Sequence, residues 1–122
     1  MERLLFADGD DAQLDVYQRY FTGQGYAVQT ACTGLVCVAC LRQQLPDLLI
    51  LDYALTWGGG DGVLARFREG KEVLVPPVIL TSPVASGELV RWPVIRCFRK
   101  PLQLQDLHRA ISFEMALSLG PT

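Results

Sequence analysis

The sequence predicts a doubly wound α/β fold, and three observations carry that expectation. Short apolar runs of strand length recur along the 122 residues. Each is followed by turn residues and then by a helical pattern, the signature of βα repeats joined into a parallel sheet. Two of the runs, "RLLFA" and "LLILD", are apolar on both faces, as a strand covered by helices on both sides must be. With 50% hydrophobic and 20% charged side chains, the chain can bury roughly two-thirds of its unfolded surface. Residues 1–122 are therefore expected to form one domain.

Taken in order, "RLLFA" (3–7) is the first strand. Asp10 or Asp11 is a competent N-cap for a helix in which Leu14, Tyr17 and Phe21 recur at helical spacing until "TGQG" breaks it. "YAVQTA" (26–31) alternates like a more exposed strand, and Thr33 caps an apolar helix running to about Gln44. "LPD" turns the chain into "LLILD" (48–52). After the loop "YALTWGGGDG", Asp61 is placed to cap a helix carrying Val63, Leu64 and Phe67. "VPPVILTS" supplies a fourth strand ending on Thr81 and Ser82. Between Pro83 and Pro93 there is room only for a short fourth helix. "PVIRCF" is the fifth strand, and Leu104, Leu107, Ile111 and Met115 mark a long amphipathic closing helix. The expectation is five strands and five helices, with no internal repeat.

Composition narrows the partners. A net charge of -2 gives no chain-wide basic footprint, and "RCFRK" (96–100) is too short a patch to bind nucleic acid directly. No apolar stretch reaches membrane-spanning length and no leader pattern opens the sequence, so a soluble, cytoplasmic protein is expected. Cys37 and Cys40 have C-x-x-C spacing, but inside an apolar run and with no second pair. Together with Cys32 and Cys97 they read as buried free thiols of a reducing compartment.

In a doubly wound sheet the ligand lies beyond the carboxyl ends of the strands, where strand order switches. Asp8 follows the first strand, Asp52 ends the third, Thr81 comes at the end of the fourth and Lys100 follows the fifth. Two acids, a hydroxyl and an ammonium should converge on one rim. Asp8, Asp10 and Asp11 around Gly9 supply more acids than a helix cap needs, and like charges this close call for a shared cation. Gly58, Gly59 and Gly60 lack the spacing of a phosphate-cradling loop and read as a flexible loop over the site, with Trp57 equally a lid or partner contact and a packed surface aromatic. His108, at helical spacing from Leu104, reads as a helix-face residue.

The acidic cluster, "LLILD", "VILTS" and "FRKP" at these separations resemble a response-regulator receiver domain of the flavodoxin-like kind, over about residues 3–117. The resemblance implies strand order 2-1-3-4-5 and a phosphoryl group accepted on Asp52 from a phosphohistidine of a sensor histidine kinase or phosphotransfer protein. It implies that Thr81 and Lys100, with Ser82 adjoining, hold the phosphoryl oxygens, and that Mg2+ is held by Asp8, Asp52 and the Ala54 carbonyl. Gly9 stands where a direct magnesium-ligating acid is normally found, so Asp10 is expected to reach a weakened ion directly or through water. Ala54 and Pro83 stand where side chains that steer the hydrolytic water often are, which implies slow self-dephosphorylation. Cys97 stands at the aromatic-switch position with Phe98 on the other face, and the Lys100–Pro101 bond is expected to be cis. The implied output is a switched contact with a downstream effector protein or domain, as a stand-alone receiver or part of a longer regulator, in monomeric or homodimeric form.

Two other functions fit some of the residues. A pseudo-receiver would keep the fold and bind partners without phosphorylation. A haloacid-dehalogenase-like phosphatase would use "DGD" with Asp8 as nucleophile and Asp10 as acid/base, but only Asp106 and Glu114 follow Lys100, where that chemistry wants a late acidic pair.

Overall fold

The apolar runs become strands β1 (Arg3–Ala7), β2 (Ala27–Ala31), β3 (Leu48–Asp52), β4 (Val78–Ser82) and β5 (Val94–Arg99). The helical patterns become α1 (Asp11–Gly23), α2 (Gly34–Gln43), α3 (Gly59–Arg68) and α4 (Leu104–Ser118). This computed structural model describes residues 1–55, 59–72, 74–83 and 90–118. The short helix expected between Pro83 and Pro93 and the side chain of Trp57 lie outside them. All strand pairs are parallel, in the order β2-β1-β3-β4-β5, as the doubly wound expectation requires.

Strand alternation sorts the core into two layers. Leu5, Ala7, Leu49, Leu51, Val78 and Leu80 face α2 and α3, meeting Cys37, Leu41, Val63, Leu64 and Phe67. Leu4, Phe6, Leu48, Ile50 and Ile79 face α1 and α4, meeting Leu14, Tyr17, Phe21, Leu107, Ile111 and Met115. Each fully buried Leu or Ile contributes roughly 1.5–3 kcal/mol, so β1, β3 and β4, buried along most of their length, anchor the sheet. Edge strand β2 is mostly half-buried, as its alternating pattern predicts. Cys97 packs with the α2/α3 layer and Phe98 with the α1/α4 layer, the alternation expected of neighbours on a strand.

Three local expectations are corrected. Helix α3 opens at Gly59, two residues before Asp61, so Asp61 lies inside its first turn and does not cap it. For the same reason Gly59 and Gly60 begin a helix and are not loop. All four thiols are free, but burial does not account for all of them: Cys37 is buried, Cys40 and Cys97 are half-buried, and Cys32 is exposed where β2 runs into α2. Burial, with the neighbouring Cys40 second, pushes the Cys37 thiol up to about 12, which keeps it protonated and inert. Among the described residues, no helix is long and apolar enough to cross a membrane.

Candidate functional site

Period-two alternation builds the site. On the α1/α4 face, the residue two beyond Phe6 is Asp8, two beyond Ile50 is Asp52, two beyond Ile79 is Thr81 and two beyond Phe98 is Lys100. The register pairs Ala7 with Leu51 and Asp52 with Thr81. The polar groups therefore stand side by side at the carboxyl end of the sheet, where β1 lies between β2 and β3. Ser82 alternates to the other face with Leu80; its carbonyl accepts from the Lys100 N–H at 2.8 Å and fixes the backbone of that lysine. The Lys100–Pro101 peptide is cis.

Asp8 and Asp52 are 2% and 7% exposed. Two carboxylates so buried tolerate one another because one ammonium is shared between them: Lys100 Nζ lies 2.6 Å from Asp8 Oδ2 and 3.2 Å from Asp52 Oδ2. Burial works against the charged lysine, but its hydrogen bond to Asp8 and the charges of Asp8 and Asp52 prevail and hold its pKa above the ordinary lysine value. The remaining oxygens are oriented by the backbone. Asp8 Oδ1 accepts from the Asp10 N–H at 2.9 Å, and Asp52 Oδ1 accepts from the Ala54 N–H at 3.2 Å.

Asp10 caps α1, its Oδ1 accepting from the N–H groups of Ala12 and Gln13 at 3.0 and 3.3 Å. That assigns the helix cap to Asp10 and leaves Asp8 to the site. His108, half-buried on α4, packs edge-on against Tyr20, Phe21 and Tyr26, with Nδ1 3.4 Å from the Tyr20 hydroxyl. It is a helix-face residue, as its spacing predicts.

One residue at the site is invisible to the apolar-face pattern of α1. Tyr17 fits that pattern, and its ring does stack on Phe6 at 4.6 Å between centroids. Among the described residues, however, its buried hydroxyl has no hydrogen-bond partner. Burial first, then the charges of Asp8 and Asp52, push the phenol above its ordinary pKa.

Comparison with known proteins gives this arrangement its context. No family model matches the chain. Transcriptional regulatory protein AfsQ1 of Streptomyces coelicolor is 35% identical over 82 residues, which cover 67% of this chain and 36% of that protein. The receiver domain of Francisella response regulator 1452 has the same fold, with a TM-score of 0.87 at 18% identity over 97% of this chain and 99% of that one. The chain has the fold of the response-regulator receiver domains and is similar in sequence to response regulators over about two thirds of its length. It spans little more than a third of the length of the curated relatives it matches. A further solved structure, response regulator TrrA of Thermotoga maritima in complex with Mg2+ and BeF, has a TM-score of 0.79 at 21% identity, over 93% of this chain and 99% of that one.

The donors at the site fit a hard divalent ion in kind: two buried carboxylates and one ammonium leave a net negative charge, and the carboxylates offer oxygen. They fit it sparsely. Gly9 offers no side chain, Asp10 Oδ1 is committed to the α1 cap, and among the described residues no group of three or more His, Cys, Asp or Glu is placed to hold one metal ion.

Proposed function

We propose that this receiver, a single domain over residues 1–122, accepts a phosphoryl group on Asp52 from a phosphohistidine of a sensor kinase or phosphotransfer protein, and that the acyl phosphate alters the surface offered to a downstream effector. The observation that carries this is Lys100, bridging Asp8 and Asp52 at the carboxyl end of a doubly wound sheet. An oxygen of Asp52 attacks phosphorus, the P–N bond to the donor imidazole breaks, and its electron pair stays on nitrogen. Such a transfer spreads charge over the equatorial phosphoryl oxygens, so catalysis is positioning plus cations. Lys100 releases Asp52 to carry the phosphoryl group and follows the new charge, while Thr81, beside Asp52 in register, donates from its hydroxyl. Ser82, on the opposite face, contributes through its carbonyl, which anchors Lys100.

Magnesium is the implied cofactor: Asp8, Asp52 and the Ala54 carbonyl would hold it, with Asp10 directly or through water, and it would neutralise phosphoryl charge. The site is metal-weakened, because Gly9 has no carboxylate and Asp10 caps α1, so that among the described residues Asp8 and Asp52 remain as the direct carboxylate ligands, and Lys100 competes for both. The setting that suits such a switch is the cytoplasm, where the four free cysteines stay reduced.

Intact mass after incubation with a small-molecule phosphodonor, with and without magnesium, tests the proposal on the protein and on Asp52→Ala. A single magnesium-dependent phosphoryl adduct, absent from the variant, is the expected outcome. No adduct at high donor and magnesium overturns it in favour of a phosphorylation-independent binding module.

A further inference from the structure

A buried hydroxyl without a partner forfeits its hydrogen bonds to water, and native proteins rarely leave one so. Tyr17 is 1% exposed. The other two tyrosines of the aromatic cluster on this face are accounted for: Tyr20 Oη meets His108, and Tyr26 Oη meets Ser112, each at 3.4 Å. Tyr17 differs from them in where it stands. It projects from the second turn of α1, the helix whose N-terminal end abuts the acids, and lies flat on Phe6, two residues before Asp8 on the same strand face.

We propose that Tyr17 is a positioning residue of the acid site, its hydroxyl donating to a water held between the Asp8 and Asp52 carboxylates. A phenol is well suited to this, since it brings a donor to two anions without adding a charge. The role deepens the proposed function, resting on Asp8 and Asp52 as the acid site. The phenol belongs to the buried layer between the sheet and α1, on the strand face that carries Asp8 and Asp52, while Gly9 offers no side-chain ligand of its own. With few protein ligands a bound magnesium would keep several waters, and the Tyr17 hydroxyl would fix the position of one of them. Tyr17 touches neither the donor nor the transferred group, so it acts through the carboxylates.

Tyr17→Phe removes the oxygen and keeps the ring, with Tyr26→Phe as the control at a paired hydroxyl remote from the acids. In chelator, thermal unfolding is expected to show a lower Tm for Tyr17→Phe, and a smaller loss when the same change is made in Asp52→Ala, because the two losses share one water. In magnesium titrations followed by isothermal calorimetry, Tyr17→Phe is expected to weaken binding at least threefold while Tyr26→Phe leaves it within error. An unchanged or raised Tm in chelator means that a dry, unpaired hydroxyl has been removed, and overturns the assignment. So does a lowered Tm with unchanged magnesium binding, which would make the role purely structural. A wild type that shows no magnesium binding overturns the magnesium part of the proposed function instead, and the chelator arm still decides Tyr17.

Discussion

At the scale of single residues, Lys100 carries the heaviest duty. Removing one partner of a buried ion pair typically costs about 3–5 kcal/mol, and Lys100→Met strands two carboxylates at once. With the lysine side chain 25% exposed, the lower end of that range is expected from urea unfolding at neutral pH, and a loss under 1 kcal/mol would show the pair to be loosely coupled. Asp8, Asp52 and Thr81 were legible in the sequence because each is the first polar group at or just past the end of an apolar run, and Lys100 because it stands just past the fifth run, before Pro101. Tyr17 was not, because a phenol at a helix's buried spacing is indistinguishable from core until its hydroxyl is seen to lack a partner. The division of labour between Asp8 and Asp10 also needed coordinates, since either could have capped α1. Ala54 and the exposed Pro83 offer no side-chain hydrogen bond to an attacking water. The phosphorylated protein is accordingly expected to persist for minutes to hours in buffer, as followed by intact mass; decay within seconds contradicts this.

At the scale of elements, α2 and α3 are held together by more than apolar contact. Glu72, just beyond α3, accepts from Arg42 of α2 at 3.0 Å and from Arg66 of α3 at 2.9 Å. The Arg42 hydrogen bond first, then that of Arg66, outweigh burial and hold the Glu72 carboxyl below its ordinary pKa of 4.5. A carboxyl whose folded pKa is depressed contributes stability above its unfolded value and loses it as pH falls through the folded one. Glu72→Gln is therefore expected to lower Tm at pH 7 and to make no difference once the pH is well below 4.5; an equal loss at both pH values would rule out the charge as the cause. Nothing local announced this clamp, because Arg42 and Glu72 lie 30 residues apart. The start of α3 was misplaced for a related reason. Asp61 is the natural cap by residue type, yet the helix begins in the glycine pair before it.

At the scale of the whole molecule, the layered sheet was the most legible feature. Strands β1, β3 and β4 are buried almost throughout, and a strand with no wet face needs no partner information to be recognised. The order of strands came through the resemblance to receiver domains, since apolar periodicity says which runs are strands but not which are neighbours. Ile50, fully buried in the middle strand and two residues before Asp52, links stability to the site. Ile50→Ala is expected to cost about 2–5 kcal/mol in chemical denaturation, and a loss under 1 kcal/mol would mean that the α1/α4 layer repacks freely.

The bridge from Lys100 to Asp8 joins positions 92 residues apart. During synthesis the first, second and third strands leave the ribosome long before that lysine does, so a partly made chain holds the acids without their cation. Parallel pairing already defers long-range contacts, and here the electrostatics defer them further. The acid end of the sheet therefore cannot close until the fifth strand is in place, so the pairing of Asp8 and Asp52 with their cation is the last electrostatic step of the sheet's completion.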